Sequence, residues 1–140
     1  MRSVWEHERN ITDEQARACA ATGGVIGITG VGIFLGPNDV SIDAVVRHID
    51  HAVELVGPEH VGIGTDYPFD LADFNQELTD NAELFPDSYR RWGPIRFVEP
   101  EALSPLAAAL SDRGYPDDAV AGILGGNFLR IARQVWGTDS

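Results

Sequence analysis

Apolar residues recur along this chain with two different periods, and the alternation between them sets the expected order of elements. Ile42, Val45, Val46, Ile49, Val53 and Val56 fall at three- and four-residue steps, which winds one apolar face along a helix. Ser41 is a good N-cap for it, Asp43 puts an anion where the helix dipole favours one, and Gly57-Pro58 closes it. An earlier helix opens on Thr12-Asp13-Glu14-Gln15, a capping-box pattern, and should reach about Thr22, with Gly23 able to turn left-handed behind it. Gly24-Val25-Ile26-Gly27-Ile28-Thr29 follows as a continuous apolar strand of the kind covered on both faces in a parallel sheet. After the second helix, Val61 and Ile63 alternate with Gly62 and Gly64 in a short buried strand that another surface approaches closely. Helix, strand, helix, strand is the rhythm of parallel βα units joined by right-handed crossovers, so the fold class is α/β.

Elsewhere the periodicity is weaker. Met1 to Ile11 has no clear period, yet it holds Val4 and Trp5 among Arg2, Glu6, His7, Glu8 and Arg9, and reads as a loop from the middle of something larger. Gly30 to Asn38 is a glycine-rich loop whose Phe34 and Leu35 suit either a pocket wall or packing against the next helix. From Pro68 to Glu99 the pattern breaks down into an acidic segment, Asp70 to Asp87, followed by Tyr89-Arg90-Arg91-Trp92. A stretch of that length is expected to be a functional lid or to carry short helices of its own. Glu101 to Asp112 reads as a helix with Pro105 in a first turn, Pro116 to Leu124 as a short helix, and Asn127 to Trp136 as a final amphipathic one beyond the Gly125-Gly126 break. There is no internal repeat.

The 140 residues suit one modest domain. A net charge of −12 argues against nucleic acid or an anionic membrane surface as the main partner. A single cysteine, Cys19, excludes an intrachain disulfide and any multi-cysteine zinc site, and it reads as a small packed residue. No run is long enough for a membrane span and the first residues are too charged for a signal peptide, which leaves the localisation unknown and cytoplasmic by default.

Chemistry is best sought where strands end, because binding and catalytic groups collect at the C-terminal ends of parallel strands. Asp66, just past the second strand, is therefore the first candidate, against the alternative of a turn aspartate bonded to its own backbone before Tyr67-Pro68. His48 and His51 stand three apart on one helix, but Asp50 and Glu54 around them indicate a solvated helix face, not a metal pair. His60 lies at the wrong end of its strand, and no His-x-His, His-Glu-x-x-His or paired-carboxylate zinc pattern occurs. Gly125-Gly126-Asn127 suits a helix joint better than an anion site, and no serine has the partners of a nucleophilic triad. A loop arginine such as Arg9 is by itself a surface charge.

Several runs taken together resemble the membrane dipeptidase (renal dipeptidase-like, peptidase M19) family of the amidohydrolase superfamily. They are Arg9-Asn10-Ile11-Thr12-Asp13-Glu14, Gly23-Gly24-Val25-Ile26-Gly27-Ile28, His48-Ile49-Asp50-His51, Val61-Gly62-Ile63-Gly64-Thr65-Asp66-Tyr67, and Ile123-Leu124-Gly125-Gly126-Asn127-Phe128-Leu129-Arg130. The resemblance covers essentially the whole chain in order and spacing. It implies a (β/α)8 TIM barrel with two zinc ions at the C-terminal face, hydrolysing dipeptides through a metal-bridging hydroxide. It implies that Asp66 ends the last barrel strand as the catalytic aspartate, contacting the bridging water and the substrate amine and shuttling a proton. It also implies that Arg9 binds substrate near its carboxylate, a use suited to a planar fork of donors.

The resemblance covers only part of that family. Its zinc ligands, a His-x-Asp, a bridging glutamate and two further histidines, would lie before Met1, so no metal ligand is expected in this chain. Residues 1–140 would be about the last third of the barrel: the loop after the sixth strand, the seventh and eighth βα units and the C-terminal helices, with an acidic insertion at about 68–99 that shapes substrate preference. Met1 is then an internal position of a longer ancestral reading frame. Two parallel strands cannot close a barrel, so this C-terminal part is incomplete on its own and expected to be inactive alone. Completion would come from an upstream-encoded chain or by self-association, with a dipeptide as substrate once the barrel is whole. The alternative is a non-catalytic assembly or binding subunit that completes a split barrel.

Overall fold

Two short parallel strands carry the fold, and helices account for most of the rest. The computed structural model describes residues 1–137. Strands β1 (Ile26–Thr29) and β2 (Val61–Gly64) pair in parallel with Ile26 opposite Val61 and Thr29 opposite Gly64. Each pairs as a strand only with the other among the described residues, so the sheet has two edges without a strand neighbour.

Helix α1 (Asp13–Ala21) begins on the capping box the sequence signals: Thr12 Oγ1 accepts from Gln15 N–H, and Gln15 Oε1 accepts from Thr12 N–H. Gly23 ends it at φ +79°, a conformation that costs glycine little. Between β1 and the next long helix the expected loop contains one helical turn, α2 (Gly32–Leu35). Helix α3 (Ile42–Val56) is capped by Ser41 and buries Val45, Val46, Ile49 and Ala52 against the sheet and α1. Ile26, Ile28 and Val61 face this core from the strands, whereas the glycines of both strands take the opposite side. A Cβ at Gly62 would sit 2.5 Å from Phe128 Cε2, so only glycine lets that ring lie on the strand.

The acidic stretch is folded and has its own small core. Asp70 caps α4 (Leu71–Asp80) by accepting from Ala72 and Asp73 N–H. Leu71, Phe74 and Leu78, spaced three and four apart, pack with Phe85, Ile95 and Phe97 onto Val31 and Ile33. The segment returns across the top of β1, where Val31 bridges Phe97 and Val98 N–H donates to Gly30 O at 2.8 Å.

Helices α5 (Leu106–Asp112), α6 (Asp117–Ala121) and α7 (Asn127–Trp136) close the chain, with a kink between the last two at Gly125, φ +151°. Asn127 Nδ2 donates to Pro58 O and Val61 O, and Arg130 donates to Gly23 O and Glu59 O, which fastens the foot of α7 to the starts of both strands.

Candidate active site

Asp66 stands two residues beyond β2 with φ +54°, one of two non-glycine residues in the left-handed region among the described residues. Asp and Asn tolerate that conformation better than other residues, which suits an aspartate held at a set angle where a strand ends. It is exposed, and among the described residues its carboxylate accepts no hydrogen bond, so the turn-aspartate alternative has no backbone bond behind it.

Arg9 reaches the same place from the other end of the chain. Its loop is closed by Arg2 N–H donating to Ile11 O and clasped by Asn10, whose side-chain amide donates to Trp5 O and Phe34 O at 2.9 and 2.8 Å. Arg9 N–H donates to His7 Nδ1 at 3.2 Å. The guanidinium itself is exposed and forms no ion pair among the described residues.

The structure brings the two sequence-predicted site residues together. Arg9 and Asp66 line one cavity of about 700 Å³, with Asn10, Thr29, Phe34 and Gly64 among the other walls. The cavity runs along the whole of β1, from Val25 just before it to Thr29, and reaches Gly64 and Asp66 at the end of β2. Its lining includes an exposed cation, Arg9, and an exposed anion, Asp66, neither in an ion pair among the described residues, the two charge types that can hold the ends of a zwitterion.

The histidines depart from expectation. His48 is not on a solvated face: it is 1% exposed, with Nδ1 at 2.7 Å from the Met1 nitrogen and Nε2 at 3.3 Å from Leu35 O. The apolar stripe of α3 is wide enough to include it. Burial, and then the charge of the Met1 amine, pushes its pKa down to about 4. His51 pairs with Asp13 at 2.9 Å, which keeps that carboxyl below its usual range, and His60 Nδ1 lies 2.8 Å from Gly24 O.

A dinuclear zinc centre needs clustered carboxylates and imidazoles. Among the described residues no group of three or more His, Cys, Asp or Glu is placed to hold a metal ion, and the four imidazoles are spread over separate contacts. The residues present do not fit the two ions. No helix among them is long and apolar enough to cross a membrane.

Three features of the site gave no sequence signal. Ser88 Oγ donates to Glu8 Oε1 at 2.6 Å across a separation of 80 residues. The rings of His7, Phe34 and Tyr89 cluster beside Arg9, with centroids 4.7 to 6.1 Å apart. Asn38 ties the acidic segment down, donating to Trp92 O and Pro94 O and accepting from Arg96 N–H. All three join parts of the chain that local pattern cannot connect.

The architecture is a mixed α/β fold similar to that of dipeptidase and amidohydrolase structures. A sequence profile of membrane dipeptidase (peptidase family M19) matches residues 1–87, and the chain belongs to that family of metallopeptidases. It is 30% identical to the dipeptidase verJ of Clonostachys rogersoniana over 133 residues, covering 95% of this chain and 29% of that protein. Among solved structures it is similar to an amidohydrolase from Pseudomonas aeruginosa, with TM-score 0.77, 30% identity, and coverage of 96% of this chain and 43% of the other. A metallopeptidase from Rhodobacter sphaeroides, liganded with a phosphinate mimic of the dipeptide L-Ala-D-Ala, shares the fold at TM-score 0.69 and 22% identity over 96% of this chain and 34% of its own. The chain thus spans less than half the length of each.

Proposed function

We propose that this chain is the C-terminal part of a (β/α)8 zinc-dipeptidase barrel and supplies its substrate-side residues. Residues 1–140 correspond in this reading to the loop after the sixth strand, the seventh and eighth βα units and the closing helices, with residues 68–99 as an insertion over the site. The observation that carries it is the convergence of Arg9 and Asp66, both exposed and unpaired among the described residues, on one cavity that runs along β1 and reaches the end of β2. Asp66 receives the dipeptide's ammonium group and moves a proton from its Oδ atoms, while Arg9 binds the carboxylate through its parallel N–H donors. The zinc ions of the whole enzyme sit on residues outside this chain, and hydrolysis requires the barrel to be completed by an upstream-encoded chain or by self-association.

The reading frame just upstream of the Met1 codon is expected to encode a His-x-Asp and a Ser-His-Ser-like motif; their absence removes the split-barrel account. In the completed barrel, Asp66→Asn should lower kcat by about 10²–10⁴, the usual effect of losing an acid–base group. An unchanged kcat takes that role away from Asp66.

A second reading, a non-catalytic subunit that completes a split barrel, is favoured by the two free strand edges together with the apolar residues exposed on α7. Under it, Asp66→Asn leaves assembly and any activity of the complex unchanged.

A further inference from the structure

We propose that Ser88 and Tyr89 form a clamp that positions Arg9 for carboxylate recognition, so that the acidic insertion sets the substrate's required end group. This rests on the reading of Arg9 given above.

Consecutive residues of the insertion hold the two residues that precede Arg9. Ser88 Oγ donates to Glu8 Oε1 at 2.6 Å, and the Tyr89 ring lies 6.1 Å from the His7 ring at 56°. His7 in turn accepts the Arg9 N–H through Nδ1, and its ring also lies 4.7 Å from that of Phe34. With Nδ1 accepting, the ring proton of neutral His7 is on Nε2, which is buried and has no hydrogen-bond partner. An imidazole with one nitrogen bonded and the other buried without a partner depends for its place on the rings packed near it, Phe34 and Tyr89. The Tyr89 ring is part of that enclosure, and Phe85 at 5.8 Å and Phe34 at 5.9 Å brace it.

The clamp bears on Arg9 through two independent routes. One runs along the backbone from Glu8, whose carbonyl also accepts from Arg2 Nη2 at 2.8 Å. The other runs through the His7 imidazole to the Arg9 amide. The Tyr89 phenol is itself near the site: burial pushes its pKa up, and the Arg9 charge works against that rise. Arg9 has no ion-pair partner to set its direction among the described residues, so its loop must do so. Two planar donors that meet a carboxylate only at a set angle gain most from such fixing, because ordering cost is then met before the ligand arrives.

The test is the discrimination between a free carboxylate and its amide, measured by NMR titration of the full chain with L-Ala-L-Ala and with L-alanyl-L-alaninamide. The chain should prefer the acid by about tenfold or more, the effect of a charge-assisted pair. Ser88→Ala, Glu8→Ala and Tyr89→Ala should each bring that ratio towards unity, while Tyr89→Phe, which keeps the ring, should retain it. Ser88→Ala and Glu8→Ala change surface groups and leave the small core intact, so they report even if Tyr89→Ala unfolds. If Arg9→Met abolishes the preference and the three clamp variants keep it, the clamp is overturned and the role of Arg9 stands. If the unaltered chain shows no preference, or Arg9→Met leaves it unchanged, the reading of Arg9 fails and the clamp with it.

Discussion

A buried imidazole makes the stability of this chain sensitive to mild acid. His48 is held at a pKa of about 4 against an ordinary 6.5, first by burial and then by the positive charge of the Met1 amine, with Arg47 and His51 adding to it and the bond to Leu35 O opposing. His7 is also lowered, chiefly by burial. In both cases the unfolded chain binds a proton that the folded chain refuses. Their contribution to stability is therefore complete above about pH 6.5 and is lost as pH falls towards the folded value. Below that window Asp13 and Asp39 take over with the same sign, since both have lowered carboxyl pKa values. The melting temperature should fall between about pH 6.5 and pH 4, and His48→Gln, which keeps a polar group but does not titrate, should flatten that part of the curve. An equally steep slope in the variant assigns the effect elsewhere. Asp66 illustrates a different constraint on single residues. Because its φ is +54°, Asn is the substitution that changes charge alone, whereas Ala would add backbone strain to the loss of the carboxylate.

At the scale of elements, the acidic segment 68–99 shows what local pattern reveals and what it does not. Helices α1, α3 and α7 were legible because each has a cap or a three-four apolar period strong enough to stand alone. Both strands were legible from β-branched residues between turn signals. Segment 68–99 was less so, because its apolar residues find their partners on α2 and Val31, far away in sequence. His48 differs from its expected place for a related reason: flanking acids mark a surface, but Met1 and Leu35 of α2, distant in sequence, close over it. Asp66 was legible as a strand-end carboxylate, Arg9 only through the family's motif, and the Ser88–Glu8 contact not at all. Asn38 is the pin that holds the acidic segment: it is 7% exposed and serves three backbone groups between Trp92 and Arg96. Asn38→Ala strands those groups and places alanine at φ +59°. It should destabilise the domain by about 1–3 kcal/mol and open residues 68–98 to limited proteolysis before the rest. Uniform cleavage across the chain would show that the segment does not unfold separately.

For the molecule as a whole, the notable quantity is the apolar surface left uncovered. Leu124, Phe128, Leu129, Val135 and Trp136 are 41–82% exposed and fall within thirteen positions of the α7 region. A cavity of about 650 Å³ opens among residues of α7, bounded almost entirely by carbon. This face adjoins a strand whose outer edge is unpaired, and it is the type of surface that a barrel keeps covered. The foot of α7 is fixed by Asn127 and Arg130, so the apolar face is presented by a seated helix and not by a frayed end. The net charge of −12 opposes association between copies at low salt and weakens as an obstacle when salt screens it. The chain alone should therefore bind an apolar fluorescent dye while still folded and should associate more as ionic strength rises. Leu129→Lys with Trp136→Lys should reduce both effects with little change in melting temperature, because both side chains are mostly exposed. Dye binding that persists in this double variant would shift the uncovered surface to the free strand edges. A monomer that binds no dye at any salt would mean that two strands and their helices suffice for a closed domain, and would remove the physical case for a completing partner.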